Sequence, residues 1–111
     1  MKSLNLTENE KYALSELTAS LKADWPIVKL VVFGSKAKGL ADEESDLDLL
    51  ILLPCTITDN IRRLIIEKVF NINLKYASNI SSLIVAEDEW NKGEISILPI
   101  HDFIEEEGIP V

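Results

Sequence analysis

Three features of the sequence predict a small α/β (α+β) domain, with a mixed sheet and helices packed mainly on one face. Short apolar runs at Ile27–Phe33, Asp46–Leu53 and Ile80–Ala86 have strand length and a β-branched or leucine-rich composition. Around them lie longer stretches with apolar residues at helical spacing. The links between these are short, so the order helix–strand–strand–helix–strand–helix is expected to form a single domain over residues 1–111.

The first helix is announced by Thr7-Glu8-Asn9-Glu10, a capping box with a hydroxyl at the cap and a carboxylate three residues on. It should run to about Ala23, with Ala13, Leu14, Leu17 and Leu21 as its apolar stripe. Trp25-Pro26 ends it, because the residue before proline avoids the α region. Trp25 reads as a core lid over that helix end. The second long helix begins at Thr56 or Thr58 and reaches about Leu74, with Ile61, Leu64, Ile65, Val69 and Ile72 buried. Arg62 and Arg63 fall outside this stripe and read as a solvated face. After the third strand, Glu87-Asp88-Glu89-Trp90 suggests a short helical turn. Pro99 starts a last helix, ending near Glu107 with Gly108 as its stop. Glu105, Glu106 and Glu107 would crowd the negative end of that helix, an unfavourable placement that leaves room for a partner contact.

Composition bounds the function. Apolar residues make up 47% of the 111 residues, which argues against disorder. No apolar run reaches membrane-spanning length and no cleavable signal pattern opens the chain, so a cytoplasmic location and no membrane partner are expected. Cys55 is the only cysteine, which rules out an internal disulfide and reads as a small apolar filler. His101 is the only histidine and reads as a surface or capping residue. The formal charge of −8 argues against a non-specific grip on nucleic acid. A nucleotide carried with magnesium, or a basic protein partner, fits that charge better.

The chemistry concentrates between Leu30 and Leu53. Asp46 and Asp48 are two residues apart on a strand, so they point to one face with Cα atoms about 6.6 Å apart. Carboxylates so placed can converge on a pair of divalent ions about 3.5–4 Å apart, and a cation would relieve their repulsion. The preceding strand ends in Gly34-Ser35, where glycine permits a sharp turn and close approach by a ligand. Ser35 can donate its hydroxyl and start a short helical turn through Ala37, whose N–H groups suit a phosphate. Lys36 and Lys38 could add positive charge. A competing reading makes the segment a solvated acidic turn, with Asp46 as a strand-entry cap and Asp42, Glu43 and Glu44 as a polar loop.

Gly34-Ser35, then Ala37 and Gly39, then Ser45-Asp46-Leu47-Asp48 between two apolar strands resembles the signature of the DNA polymerase beta-type nucleotidyltransferase superfamily. Within it the chain resembles the minimal nucleotidyltransferases, the MNT or MntA-like proteins, over most of its length. The resemblance implies the nucleotidyltransferase fold. It implies Asp46 and Asp48 as ligands of two Mg2+ ions and as the catalytic pair. It implies Gly34 and Ser35 at the β- and γ-phosphates, with Lys38 standing where the family often has arginine. The activity implied is transfer of a nucleoside monophosphate from an NTP, with ATP expected, to a hydroxyl. That hydroxyl could lie on a HEPN-type partner in a toxin–antitoxin pair, and an oligomer is compatible with this picture.

The family usually adds a third carboxylate on the third strand. Here the expected position falls near Asn79, and no Asp or Glu lies between Val69 and Ala86. Asparagine can offer a carbonyl but cannot take a proton, and Ser81 and Ser82 do no better. The alternative function is therefore a catalytically weak or inactive antitoxin-like module that acts by direct contact.

Overall fold

The computed structural model of the chain describes residues 6–38 and 46–111. Helix α1 spans Glu8–Asp24 and opens on the expected capping box. The Glu10 N–H donates to Thr7 Oγ1 at 3.1 Å, and the Thr7 N–H donates to Glu10 Oε1 at 3.0 Å. Its buried face is Ala13, Leu14, Leu17 and Leu21, and half-buried Trp25 packs against the same core beyond the helix end. Strand β1 is shorter than the apolar run, Lys29–Phe33, because the Val28 N–H turns back to the Trp25 carbonyl and leaves Ile27 exposed.

A one-turn helix, α2 (Ser35–Lys38), leads towards β2 (Leu47–Leu53). Helix α3 (Asp59–Tyr76) is capped by Thr58, whose hydroxyl accepts the Ile61 N–H at 3.2 Å. Arg62 and Arg63 are exposed, as their place outside the apolar stripe requires, but so is Leu64. The helix ends at Ala77 with φ 51°, in the left-handed region. Strand β3 (Ile80–Ala86) follows, then α4 (Glu87–Lys92), a single 3-10 turn at Glu94–Ile97, α5 (Pro99–Glu107) and β4 (Ile109–Pro110).

The four strands lie in the order β3-β2-β1-β4. β2 runs parallel to β3, with α3 as the crossover, while β1 is antiparallel to both β2 and β4. The sheet is therefore mixed, as expected. The alternation of side chains along the strands gives it two faces. Leu30, Val32, Leu47, Leu49, Ile51, Leu53, Ile80 and Ile84 pack under the long helices α1 and α3. On the other face Leu50, Leu52 and Val85 meet Trp90 of α4 and Ile104 of α5.

Two local details differ from the sequence reading. Glu105 is not idle at the end of α5, since its carboxylate accepts the Trp90 indole N–H at 2.6 Å. His101 is drawn onto Trp90, with ring centroids 4.4 Å apart. Cys55 is half-buried and packs beside the larger core, as a small filler would. Among the described residues no helix is long and apolar enough to cross a membrane.

Candidate functional site

The antiparallel register sets Phe33 opposite Asp48, so the turn at Gly34-Ser35 leaves β1 alongside that carboxylate. Gly34 has φ 75°, a conformation L-residues rarely adopt. A β-carbon at this position would also overlap Asp48 Oδ2. The turn thus needs glycine for its backbone and again for the space it leaves to the aspartate. Ser35 opens α2 and is exposed, while Ala37 is buried and its N–H donates to the Gly34 carbonyl at 3.1 Å.

Asp46 is exposed just ahead of β2, and Asp48 is half-buried within it. Both share the parity of Leu50 and Leu52, so they face the side of the sheet on which α4 and α5 lie, at the end where β2 begins. Burial pushes the Asp48 carboxyl above its ordinary range, and the negative charge of Asp46 adds to the effect. Among the described residues neither carboxylate has a lysine or arginine partner.

The parallel register with β3 completes the picture. Ser81 lies opposite Asp48, and the Leu47 N–H donates to the Asn79 carbonyl at 3.0 Å. The Asn79 side-chain amide donates to Asp46 Oδ1. Two uncharged side chains, Asn79 and Ser81, therefore border the carboxylate pair. Glu87 and Asp88, the first acids after Val69, open α4 at the far end of the seven-residue β3. Among the described residues no group of three or more His, Cys, Asp or Glu side chains could hold a metal ion. The site offers a carboxylate pair, an amide and a hydroxyl.

The structure brings together Gly34, Ser35, Asp46, Asp48 and Asn79. It separates Lys36 from them as a phosphate contact, because that side chain is buried against α1 with its ammonium 3.0 Å from Glu10 Oε1. The reason is geometric: in a one-turn helix, Lys36 and Ala37 take the inward positions and leave Ser35 outside. Lys38 closes α2, but its side chain, together with the loop from Gly39 to Ser45, lies outside the described residues. A cavity of about 540 Å³ bordered by Cys55, Arg62 and Glu87 lies at the opposite end of β2 and β3 and includes none of these groups.

Comparison with known proteins shows what the chain is similar to. The model of the family described as "Nucleotidyltransferase domain" matches residues 14–109. A curated relative from Methanocaldococcus jannaschii, named a "putative protein adenylyltransferase", is 34% identical over 86 residues, covering 76% of this chain and 81% of the relative.

Proposed function

The chain belongs to the nucleotidyltransferase domain family, and from that membership we propose that it transfers AMP from ATP to a hydroxyl on a partner protein. The observation that carries this reading is the Asp46/Asp48 pair set beside a positive-φ Gly34-Ser35 turn on the adjacent strand. The donor set fits divalent cations: two crowded carboxylates, one of them with its proton affinity raised by burial, lack a described basic partner. Asp46 and Asp48 would hold Mg2+, two ions by the family pattern, and the Asn79 amide, which donates to Asp46 through its nitrogen, would keep its carbonyl oxygen as a further acceptor. When bound, the ions supply charge neutralisation on the triphosphate and a lower pKa for the attacking hydroxyl.

The protein's own groups do the positioning. Gly34 lets the backbone approach the β- and γ-phosphates, Ser35 donates its hydroxyl to a phosphate oxygen, and Lys38 contributes charge without arginine's planar fork. The acceptor hydroxyl gives its proton to solvent as its oxygen forms a bond to the α-phosphorus. The bond from that phosphorus to the bridging oxygen breaks, and pyrophosphate leaves. Asn79 orients Asp46 through its amide but cannot take the acceptor's proton.

Charge supports a protein acceptor presenting a basic surface, and the family resemblance suggests one of HEPN type. Eight of the 19 acidic residues but only one of the 11 basic residues fall between Glu87 and Glu107. The exposed Ile97, Leu98, Ile100 and Phe103 lie in the same segment. The test is label transfer from α-labelled ATP to the partner with Mg2+. Transfer is expected with the native chain and abolished in Asp46→Asn/Asp48→Asn, and transfer surviving intact in that variant would sink the assignment.

A second reading is favoured by Asn79 and Ser81 standing beside the pair. It makes the chain an antitoxin-like module that neutralises its partner by contact alone. It predicts that inhibition persists without NTP or magnesium, and strict dependence on NTP would exclude it.

A further inference from the structure

Lys36 is 1% exposed and Glu10 5% exposed, and they are the two buried charged side chains among the described residues. They are 26 positions apart in sequence, with Nζ 3.0 Å from Oε1. The same Glu10 oxygen accepts the Thr7 N–H at 3.0 Å, and Thr7 Oγ1 accepts the Glu10 N–H at 3.1 Å. One carboxylate therefore closes the first turn of α1 and holds a lysine from α2. Burying two charges in this way is costly unless both are well paired, so the pair marks a place where geometry is held in a defined arrangement.

What it holds is the turn beside Asp48. Helix α2 has four residues and cannot fix its own direction. Its N-terminal link is Gly34, whose left-handed backbone sets no barrier of its own against swinging. Ala37 anchors it in the core through a single methyl group. Lys36 reaches further, from the residue next to Ser35 to the capped N-terminus of a 17-residue helix.

We propose that Glu10 and Lys36 are positioning residues: their buried ion pair fixes the Gly34-Ser35 turn against the capped end of α1, and so sets the turn's affinity for the triphosphate without touching it. This rests on the reading of the turn as a triphosphate site. It goes beyond that reading by placing control of the site in the cap of α1, a helix packed on the opposite face of the sheet from the aspartate side chains. The cap and the turn then form one unit: loosening Thr7, Glu10 or Lys36 loosens Ser35.

The test uses the full chain and two variants, Lys36→Met and Glu10→Gln. Methionine keeps most of the buried shaft and removes the ammonium. Glutamine keeps an oxygen that can accept both hydrogen bonds and removes the charge. MgATP affinity is measured by calorimetry well below each variant's unfolding midpoint, and amide hydrogen exchange is followed without ligand. Lys36→Met is expected to weaken MgATP binding about tenfold or more. It should also speed exchange at the Ala37 amide, and at the Glu10 amide of the cap, over the native chain. Glu10→Gln should show the same changes to a smaller degree, and it carries the test if Lys36→Met does not fold. A lower unfolding midpoint with native MgATP affinity and native exchange at Ala37 would overturn the proposal, leaving a pair that merely stabilises the fold. If the native chain binds no MgATP, the triphosphate reading falls, and the exchange measurement alone decides whether the pair holds the turn.

Discussion

Replacing Gly34 with alanine tests the geometry of the site in one atom. The residue sits at φ 75°, where an L-side chain costs about 1–2 kcal/mol. The added β-carbon also overlaps Asp48 Oδ2, and that contact can be relieved only by moving the carboxylate or the turn. The overlapped oxygen is the tip of a half-exposed side chain that can turn aside at little cost, so the backbone carries most of the penalty. The substitution therefore removes about 1–2 kcal/mol from a domain whose whole stability is on the order of 5–15 kcal/mol. The thermal midpoint should fall by about 4–16 °C, since each kcal/mol corresponds to roughly 4–8 °C at this size. The assay is thermal unfolding followed by circular dichroism, paired with MgATP calorimetry in the folded range. Binding should be lost even where the variant is fully folded, because the displaced group is one of the two proposed metal ligands. The double variant Gly34→Ala/Asp48→Ala removes the overlap but not the strained backbone. The alanine at position 34 should therefore cost nearly as much in that background as in the native one, because the backbone strain is common to both. A Gly34→Ala protein within about 0.5 kcal/mol of native stability that binds MgATP normally would refute the reasoning.

Three further predictions follow from neighbouring observations. Ala77 ends α3 at φ 51°, so Ala77→Gly should stabilise the protein by up to about 1 kcal/mol, and an unchanged or lower unfolding midpoint would count against that strain. Ser81 lies opposite Asp48 across the parallel ladder, about 4.8 Å away at the backbone. Ser81→Asp should therefore lower the midpoint without metal and raise label transfer about tenfold or more with Mg2+, and transfer no faster than native would remove Ser81 from consideration as the missing third group. Asp48 has its folded-state pKa raised, first by burial and then by Asp46. The folded chain thus holds that proton more tightly than the unfolded chain. Metal-free stability should fall as pH rises from about 3.9, the unfolded value, through the raised folded value, and the penalty should be fully present above it. Asp48→Asn should remove this slope and raise the midpoint at pH 7 in the absence of metal. A variant curve parallel to the native one would contradict the assigned cause.

The elements that depend on short-range pattern were legible in the sequence. The Thr7–Glu10 box, the apolar stripe of α1, the run Ile80–Ala86 and the Pro99–Gly108 punctuation all map onto observed structure because each is written in residues a few positions apart. The Gly34-Ser35 and Asp46/Asp48 signals were legible for the same reason, and their juxtaposition followed once two consecutive strands paired. What could not be read depends on distant partners. Lys36 looked like a free cation beside a phosphate turn, because nothing local ties it to Glu10. His101 gave no sign that it would lie on Trp90, and Glu105 seemed misplaced until the Trp90 indole supplied its donor. Strand β4 has two residues, one of them Pro110, too few to carry an alternating pattern. Asn79 is an intermediate case: the absence of an acid was visible, but its hydrogen bond to Asp46 required the register of β2 on β3.

The most direct test of the central claim is calorimetric titration of MgATP into the native chain and into Asp46→Asn/Asp48→Asn side by side. The account predicts magnesium-dependent binding to the native chain that disappears in the variant, with the variant still folded. Equal binding by both, or binding that does not require magnesium, would contradict the assignment of Asp46 and Asp48 as the groups that bring metal and triphosphate together.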